Sequence, residues 1–328
     1  MTLAIQFREV GGPEKLEPTE ISLPDPGPGQ AHVRIEVAGV NFIDTYHRSG
    51  LYPAALPFIP GVEAAGVVEA LGPDGSGAGA GLSVGDRVAW TMVPGTYAEA
   101  CLAPIAQLVR IPDALSTELA AASLLQGATA HYLTHGVRET RSGDTALVHA
   151  AAGGTGGLLV QMLKAAGARV LATCSTDEKA ALARESGADE VILYTQEDFQ
   201  KRTRELTDGR GVDVVYDSVG RSTFEGSLGS IRPRGLLCLF GQASGPVPPF
   251  DLNRLNGAGS LFVTRPSLAH YVGDRESLET RVGAVFSALV EGRLKQRIGG
   301  RYALRDAAQA HRDLEGRKTT GKLLLRTS

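Results

Sequence analysis

The first third of the chain has short β-branched runs separated by Gly- and Pro-containing turns, which is typical of a small β domain. Apolar and polar residues alternate along His32–Gly39, and shorter runs at Gly61–Leu71 and Asp86–Trp90 continue the pattern. The stretch Gly72–Gly81 is rich in glycine and alanine, and we expect a surface loop there. We therefore predict a barrel-like β domain in this part of the chain.

From Ser116 onwards, helical segments alternate with apolar runs, as in a βαβ series. The apolar runs do not alternate with polar residues, which predicts strands that are buried on both faces. The predicted strands are Thr145–Ala150, Arg169–Cys174, Asp213–Asp217 and Gly235–Phe240, and the predicted helices are Ser116–His135, Gly156–Ala166, Glu178–Ser186 and Thr223–Ile231. The fold class is therefore α/β, with a Rossmann-type, doubly wound parallel sheet.

The C-terminal segment combines predicted helices with a predicted strand. Glu276–Glu291 and Tyr302–Leu314 predict amphipathic helices, and Gly321–Arg326 predicts a terminal strand. These elements would complete the first domain, into which the Rossmann unit is inserted. We predict a β domain of residues 1–124 and 267–328 and a Rossmann domain of residues 125–266.

Composition narrows the class of function. The chain has 33 Lys and Arg against 36 Asp and Glu, and this net charge of −3 gives no attraction to nucleic acid or to an anionic membrane. No apolar run reaches the roughly 18 residues that a membrane-spanning helix needs. The 3 cysteines are far apart, which suits a reducing compartment. We therefore expect a cytoplasmic protein with neither a membrane nor a nucleic acid as its partner.

A glycine-rich turn follows the predicted strand Thr145–Ala150 and precedes a predicted helix. In the dinucleotide-binding fingerprint, Gly153 would let the backbone approach a pyrophosphate and Gly156 would let the helix pack on the strand. The amides of Gly154 and Thr155 would face the phosphate charge. The first glycine of the fingerprint is replaced by alanine, so a glycine-rich turn with a purely structural role is the alternative.

The end of the second Rossmann strand favours NADPH over NADH. An NAD enzyme usually has Asp or Glu there, which binds the ribose hydroxyls. Here Ser175 and Thr176 end the run, and Lys179 follows shortly after. Hydroxyls and a cation suit a 2′-phosphate, which a carboxylate would repel. Ser175 and Glu178 also fit a capping box for the next helix, and both interpretations hold together if the cap hydroxyl faces the phosphate.

Six segments together give the chain a specific resemblance to a known family. They are GVNFIDTY at 39–46, RSGLYP at 48–53, PGVEAAG at 60–66, HAAAGGTG at 149–156, DSVG at 217–220 and VTRPS at 263–267. Over essentially its whole length, the chain resembles the zinc-free quinone oxidoreductases related to zeta-crystallin, within the medium-chain dehydrogenase/reductase superfamily. The resemblance implies a GroES-like β domain, NADPH as the cofactor, and a quinone or another electron-poor acceptor.

The turn Gly61–Glu63 argues against a catalytic metal. Zinc alcohol dehydrogenases of this superfamily have a histidine in this turn and a cysteine near the position of Asn41–Asp44. Here Val62 occupies the histidine position and has no ligating atom, and the 41–44 stretch has no cysteine. A catalytic zinc needs three protein ligands. We therefore expect no metal, and hydride transfer to an electron-poor acceptor rather than alcohol oxidation.

The resemblance also implies the site residues. It assigns Asn41 and Asp44 to the surroundings of the nicotinamide or its ribose, and Tyr46 and Tyr52 to the acceptor pocket, where a ring and a hydroxyl would contact a flat molecule. Turn capping by Asp44 and core packing by Tyr46 are the alternatives. The residues expected to contact the cofactor are Phe42, Ile43, Thr45, Thr129, Gly153, Gly154, Thr155, Gly156, Ser175, Thr176, Lys179, Tyr194, Val219, Phe240, Gly241, Thr264, Arg265 and Arg317.

Two other functions stay open at this point. A zinc-free, NADPH-dependent alkenal or enone reductase would need the same hydride transfer. A non-catalytic role, as a crystallin or an AU-rich RNA-binding protein, is the second alternative, although the charge and the missing aromatic–basic motif argue against RNA. The β-branched run Ser260–Thr264 is the segment that we expect to pair edge to edge in a homodimer.

Overall fold

The computed structural model describes residues 1–73 and 81–327, so most of the loop predicted at Gly72–Gly81 lies outside the described residues. The strands are β1 (Thr2–Gln6), β2 (Glu17–Ile21), β3 (Gln30–Val40), β4 (Glu63–Leu71), β5 (Arg87–Thr91), β6 (Ala100–Pro104), β7 (Val109–Arg110), β8 (Thr145–Val148), β9 (Arg169–Cys174), β10 (Glu190–Leu193), β11 (Val212–Asp217), β12 (Ile231–Leu239), β13 (Phe262–Thr264), β14 (Ile298–Ala303) and β15 (Lys322–Arg326). The α-helices are α1 (Phe42–Arg48), α2 (Thr117–Tyr132), α3 (Gly154–Ala165), α4 (Asp177–Glu185), α5 (Phe199–Leu206), α6 (Phe224–Ser230), α7 (Asn253–Gly257), α8 (Arg275–Val290) and α9 (Ala307–Glu315).

The chain divides into two compact units. The first comprises Met1–Ala128 and Val272–Ser328, and the second comprises Thr129–Tyr271. In the first unit, one sheet has the order β14–β15–β3–β4–β5–β7, and β6 pairs with β3. Strand β15 runs antiparallel to β3, so the C-terminal segment completes a sheet that the N-terminal segment begins. The core of this unit includes Trp90 and Tyr97, both fully buried.

The second unit is a parallel α/β sheet in the order β10–β9–β8–β11–β12–β13. Its strands are mostly apolar because both faces are covered, and Leu147, Leu171 and Leu237 are among the fully buried residues of its core. The predicted doubly wound parallel sheet is confirmed. Within residues 1–73 and 81–327, no helix combines the length and the apolar content that a membrane crossing requires.

One predicted helix is wrong at its start. The helix predicted for Tyr302–Leu314 begins only at Ala307, because Tyr302 and Ala303 extend β14 and pair in parallel with Leu325 and Arg326 of β15. The local pattern favours a helix here, but pairing with a distant strand decides the conformation.

Candidate functional site

Asn41 and Asp44 together form the N-terminal cap of α1. Asn41 is the N-cap residue, and its backbone N–H donates to Asp44 Oδ2 over 2.8 Å. Such a capping box satisfies amides at the start of the helix that have no partner within it. The Asp44 side chain is fully buried. The contacts of Asp44 in this structure therefore match the alternative in which this residue has a capping role.

The Asn41 side chain is held by two further strands. Its amide nitrogen donates to Glu63 Oε2 over 2.9 Å and to the Gly39 carbonyl over 3.2 Å. Its oxygen accepts from Lys322 Nζ over 2.7 Å, and Lys322 also pairs with Glu63. Both donor hydrogens of the Asn41 amide are thus used, and its oxygen accepts from Lys322 and faces the Asp44 backbone N–H of the capping box.

Glu63 and Lys322 are both fully buried, and their roles were not predicted from the sequence. The second carboxylate oxygen of Glu63 accepts from the Leu125 backbone N–H over 2.6 Å, so both of its oxygens are occupied. The available signal was a lysine at the start of the apolar run KLLLR, because a charge enters such a strand only with a buried partner.

A second set of buried contacts leads from Asp44 to the C-terminal helix α9. The Tyr97 hydroxyl donates to Asp44 Oδ2 over 3.0 Å and also lies 3.0 Å from His311 Nε2. His311 Nδ1 lies 2.9 Å from Arg48 Nη1, and Arg48 pairs with Glu315 over 2.7 Å. Burial raises the pKa of Asp44 to about 7, against the effect of its hydrogen bonds. Burial lowers the pKa of His311 to about 3, which keeps its imidazole neutral near pH 7.

The two tyrosines predicted to line the acceptor pocket lie together. Tyr46 is on α1, Tyr52 is on the turn after it, and their ring centroids are 5.3 Å apart at an interplanar angle of 65°. The Tyr52 backbone N–H donates to the Tyr46 carbonyl over 3.0 Å, which holds the turn against the helix. His47 packs between Tyr52 and Phe58, with centroids 5.8 Å and 5.3 Å away. Both tyrosines are half-buried, so each ring keeps an accessible surface.

The glycine turn precedes α3, and Gly153 is the N-cap residue of that helix. A Cβ at Gly156 would lie 2.4 Å from the Ala150 carbonyl oxygen and 2.8 Å from Ala151 Cα, so the helix packs on the turn without room for a side chain. A Cβ at Gly153 would have only the Ala150 oxygen within 4 Å among the described residues, at 3.2 Å. The space at Gly153, beside helix amides that have no partner within the helix, is a cradle that fits a pyrophosphate.

The residues predicted around a 2′-phosphate lie at the ends of two paired strands. Ser175 and Thr176 follow β9, and Tyr194 follows β10, whose last residue pairs with the last residue of β9. The cap of α4 is Thr176, whose hydroxyl accepts from the Lys179 backbone N–H over 3.3 Å, so the capping box predicted at Ser175 is wrong. Ser175 is half-buried and Tyr194 is exposed. Hydroxyl groups and a cation thus share one edge of the sheet.

The other residues predicted to contact the cofactor follow the same edge. Val219 comes after β11, Phe240 and Gly241 come after β12, and Thr264 ends β13. Ligands of doubly wound sheets bind at the carboxyl ends of the strands, so this placement suits a dinucleotide. Thr129 belongs to α2, and Arg317 follows α9 in the first unit.

No metal cluster is visible in the part of the chain that the structure describes: no three His, Cys, Asp or Glu side chains come together there. Val62 is buried at the turn where related zinc enzymes carry a histidine.

Comparison with known proteins places both units in described families. Residues 27–113 match the model for the alcohol dehydrogenase GroES-like domain, and residues 154–276 match the model for zinc-binding dehydrogenases. The chain is 46% identical over 327 residues to a quinone oxidoreductase of Pseudomonas aeruginosa, with 99% of each chain covered. It is 40% identical over 333 residues to a 2-haloacrylate reductase of a Burkholderia species, again with 99% of each covered.

A solved structure agrees with these relatives. The quinone oxidoreductase of Escherichia coli, complexed with NADPH, has a TM-score of 0.95 and 42% identity to this chain, and 99% of each chain is covered. The resemblance inferred from the sequence motifs is confirmed, and so are the GroES-like and Rossmann parts of the predicted fold. The chain belongs to the zinc-free quinone oxidoreductase family of the medium-chain dehydrogenase/reductase superfamily.

Proposed function

We propose that the protein is an NADPH:quinone oxidoreductase that works without a metal ion. The observation that carries the proposal is the full-length similarity to a quinone oxidoreductase solved with NADPH, at a TM-score of 0.95. The glycine cradle at the start of α3 and the Tyr46–Tyr52 pair support it, since they suit a dinucleotide and a flat acceptor. NADPH, when bound, supplies the hydride.

The second unit's part is to hold the dinucleotide. The amides of Gly154 and Thr155, in the first turn of α3, would bind the pyrophosphate. The hydroxyls of Ser175 and Thr176 and the ammonium of Lys179 would bind the 2′-phosphate by charge-assisted hydrogen bonds. No carboxylate side chain stands between β9 and the cap of α4, where an NAD enzyme usually has one, and Asp177 and Glu178 follow only in the first turn of the helix.

The first unit's part is to bind and orient the acceptor. The rings of Tyr46 and Tyr52 meet edge to face, which leaves a face of one ring and an edge of the other for a flat molecule. A tyrosine hydroxyl can hydrogen-bond the acceptor oxygen. A reduced quinone is a resonance-stabilised anion that water can protonate, so the hydroxyl serves binding more than proton transfer.

An alkenal or enone reductase is the second candidate, because the chain is 40% identical to a 2-haloacrylate reductase. Both reactions deliver a hydride to an electron-poor π system. They differ in the product anion, since a carbanion from an activated alkene depends more on timely protonation than a hydroquinone anion does.

The deciding experiment compares kcat/KM for a planar ortho-quinone with kcat/KM for a short enone and for 2-chloroacrylate, with NADPH and then NADH as the donor. We expect the quinone and NADPH to give the highest value. A higher kcat/KM for the alkenes would establish the second candidate, and no turnover of any acceptor would refute both.

We also propose that the protein is a cytoplasmic homodimer. All 3 cysteines are free and buried, which suits a reducing compartment. Strand β13 is an edge strand with Phe262 63% exposed and Val263 39% exposed. Pairing of this edge with a second copy would cover those side chains and the open backbone groups. Light scattering of the wild type and of Val263→Lys tests this, and a wild-type monomer would contradict it.

A further inference from the structure

Helix α1 is too short to keep its position by its own backbone hydrogen bonds. It spans Phe42–Arg48, and isolated helices below roughly 12 residues are marginal in water. It carries Tyr46, one of the proposed acceptor residues. Its polar anchors, Asp44 near the start and Arg48 at the end, are both buried. Whatever fixes these two side chains therefore fixes the direction in which Tyr46 is presented.

The hydrogen bonds between the two anchors have a single possible direction. The Arg48 guanidinium can only donate, so His311 Nδ1 accepts in their 2.9 Å contact. A neutral imidazole has one N–H, which must then be on Nε2 and donate to the Tyr97 oxygen 3.0 Å away. The Tyr97 hydroxyl proton is left for Asp44 Oδ2, at 3.0 Å. Asp44 is thus the terminal acceptor of the array.

This array orients groups and does not conduct protons. Arg48 cannot release a proton in a protein, so no proton passes inward from Glu315, which pairs with Arg48 on its other side. Arg48 is also held by its Nε donating to the Gly11 carbonyl over 3.1 Å. The array is therefore anchored at one end by donors that do not change charge.

We propose that Arg48, His311 and Tyr97 form a one-directional hydrogen-bond array that favours the ionised form of Asp44 in the cap of α1. Tyr97 and His311 are then positioning residues, which act on the acceptor through α1 without touching it. The inference rests on the proposed function for its link to acceptor binding, whereas the effect of the array on Asp44 stands independently of it.

The groups that face Asp44 make the ionisation of its carboxyl group sensitive to pH near neutrality. The Lys322 ammonium and the Tyr97 hydroxyl favour the carboxylate, while burial and the Glu63 carboxylate oppose it. These opposing effects leave the pKa of Asp44 raised to about 7. His311 faces Asp44 only through Tyr97 and stays neutral in this range. Loss of the Tyr97 hydroxyl would raise the pKa of Asp44 further and lower its ionised fraction at a given pH.

The variant Tyr97→Phe removes only the hydroxyl that completes the array. We expect KM for the quinone to rise about two- to tenfold, the effect of one net hydrogen bond, with kcat and NADPH affinity nearly unchanged. In the wild type we expect KM to rise as the pH falls through about 7, because Asp44 is protonated there. In Tyr97→Phe the midpoint of this rise should move to higher pH.

Tyr302→Phe is the matched control. It removes a hydroxyl that donates over 2.8 Å to Asp313 Oδ2, on the same helix as His311 but outside the array. We expect its KM and its pH midpoint to match the wild type. Asp44→Asn should fix the neutral state and give a high KM that no longer depends on pH. His311→Gln, which keeps an N–H donor, should lie closer to the wild type than His311→Leu.

Carbon NMR of the Asp44 carboxyl gives a readout that needs no substrate. An upward shift of its titration midpoint in Tyr97→Phe, absent in Tyr302→Phe, supports the array even if the protein reduces no quinone. If Tyr97→Phe does not fold, the Asp44 titration midpoints of His311→Gln and His311→Leu are compared instead. The array predicts the larger upward shift in His311→Leu, which has no N–H donor. An unchanged midpoint overturns the proposal, and a shifted midpoint with an unchanged quinone KM refutes its link to acceptor binding.

Discussion

Replacing Lys322 by methionine tests the energetic weight of the buried ion pair beneath α1. Lys322→Met keeps most of the side-chain volume and removes the cation, so the Glu63 carboxylate stays fully buried without its counter-charge. Breaking such a pair from one side usually costs about 3–5 kcal/mol. The Asn41 amide and the Leu125 backbone N–H still donate to Glu63, at 2.9 Å and 2.6 Å. We therefore expect about 3 kcal/mol, the lower end of that range.

The double variant Glu63→Gln/Lys322→Met separates the charge from the packing. It removes both charges and keeps both shapes, and replacing a whole buried pair by neutral groups is often close to neutral in free energy. We expect it to be at least about 2 kcal/mol more stable than Lys322→Met alone. Arg110→Met is the control, because Arg110 and Asp86 form a half-exposed ion pair in the same unit. Its loss should lower the free energy of unfolding by at most about 1 kcal/mol.

Urea unfolding followed by tryptophan fluorescence measures these differences directly. Trp90 is the single tryptophan of the chain and is fully buried in the core of the first unit, so its emission reports the unfolding of that unit. With a urea m-value of about 1–3 kcal/mol/M, a loss of about 3 kcal/mol lowers the midpoint by about 1–3 M. A loss below about 1 kcal/mol, or a double variant as unstable as the single one, would refute the reasoning.

Three further predictions follow from the second unit and from the tyrosine pair. Lys179→Ala should weaken NADPH binding by about 1–2 kcal/mol and leave NADH binding nearly unchanged in fluorescence titrations; equal losses would refute the 2′-phosphate assignment. Gly156→Ala should destabilise the second unit in thermal unfolding because its Cβ would meet backbone at 2.4 Å, whereas Gly153→Ala should fold and lose cofactor affinity; the reverse order contradicts the cradle. Tyr52→Phe should raise quinone KM modestly and lower kcat by less than about tenfold, and Tyr52→Ala should cost more; a full general-acid loss of kcat with unchanged KM in Tyr52→Phe would make the hydroxyl a proton donor.

The local sequence pattern was sufficient to predict most elements and the glycine turn before α3. The strand Arg169–Cys174 has the predicted bounds, because a mostly apolar run between Gly167 and the polar pair Ser175–Thr176 leaves little choice. The helix α3 begins at Gly154 rather than at the predicted Gly156, which places the whole glycine turn at its N-terminus. The start of the helix predicted at Tyr302 was wrong because a long-range contact decides the conformation there. Parallel pairing with β15 overrides the helical pattern of that segment.

The buried polar contacts of the first unit could not be predicted from the sequence pattern. Glu63 and Lys322 are 259 positions apart, and Tyr97 and His311 are 214 apart, so no spacing rule connects them. A buried histidine or lysine is recognisable from sequence only as an anomaly within an apolar run, and its partner is defined by the topology of the sheet. The position of β15 beside β3 brings Lys322 to Asn41.

The C-terminal segment therefore does more than close a sheet. It supplies Lys322 to the Asn41 end of α1 and His311 to the array that ends at Asp44, while none of the predicted acceptor residues lies in it. A chain that lacked this segment would retain Tyr46 and Tyr52 but would leave Glu63 and Asp44 buried without their partners. Uncompensated buried carboxylates are costly, so α1 would have to rearrange. The proposed acceptor site thus depends on residues that the linear motif around Tyr46 does not contain.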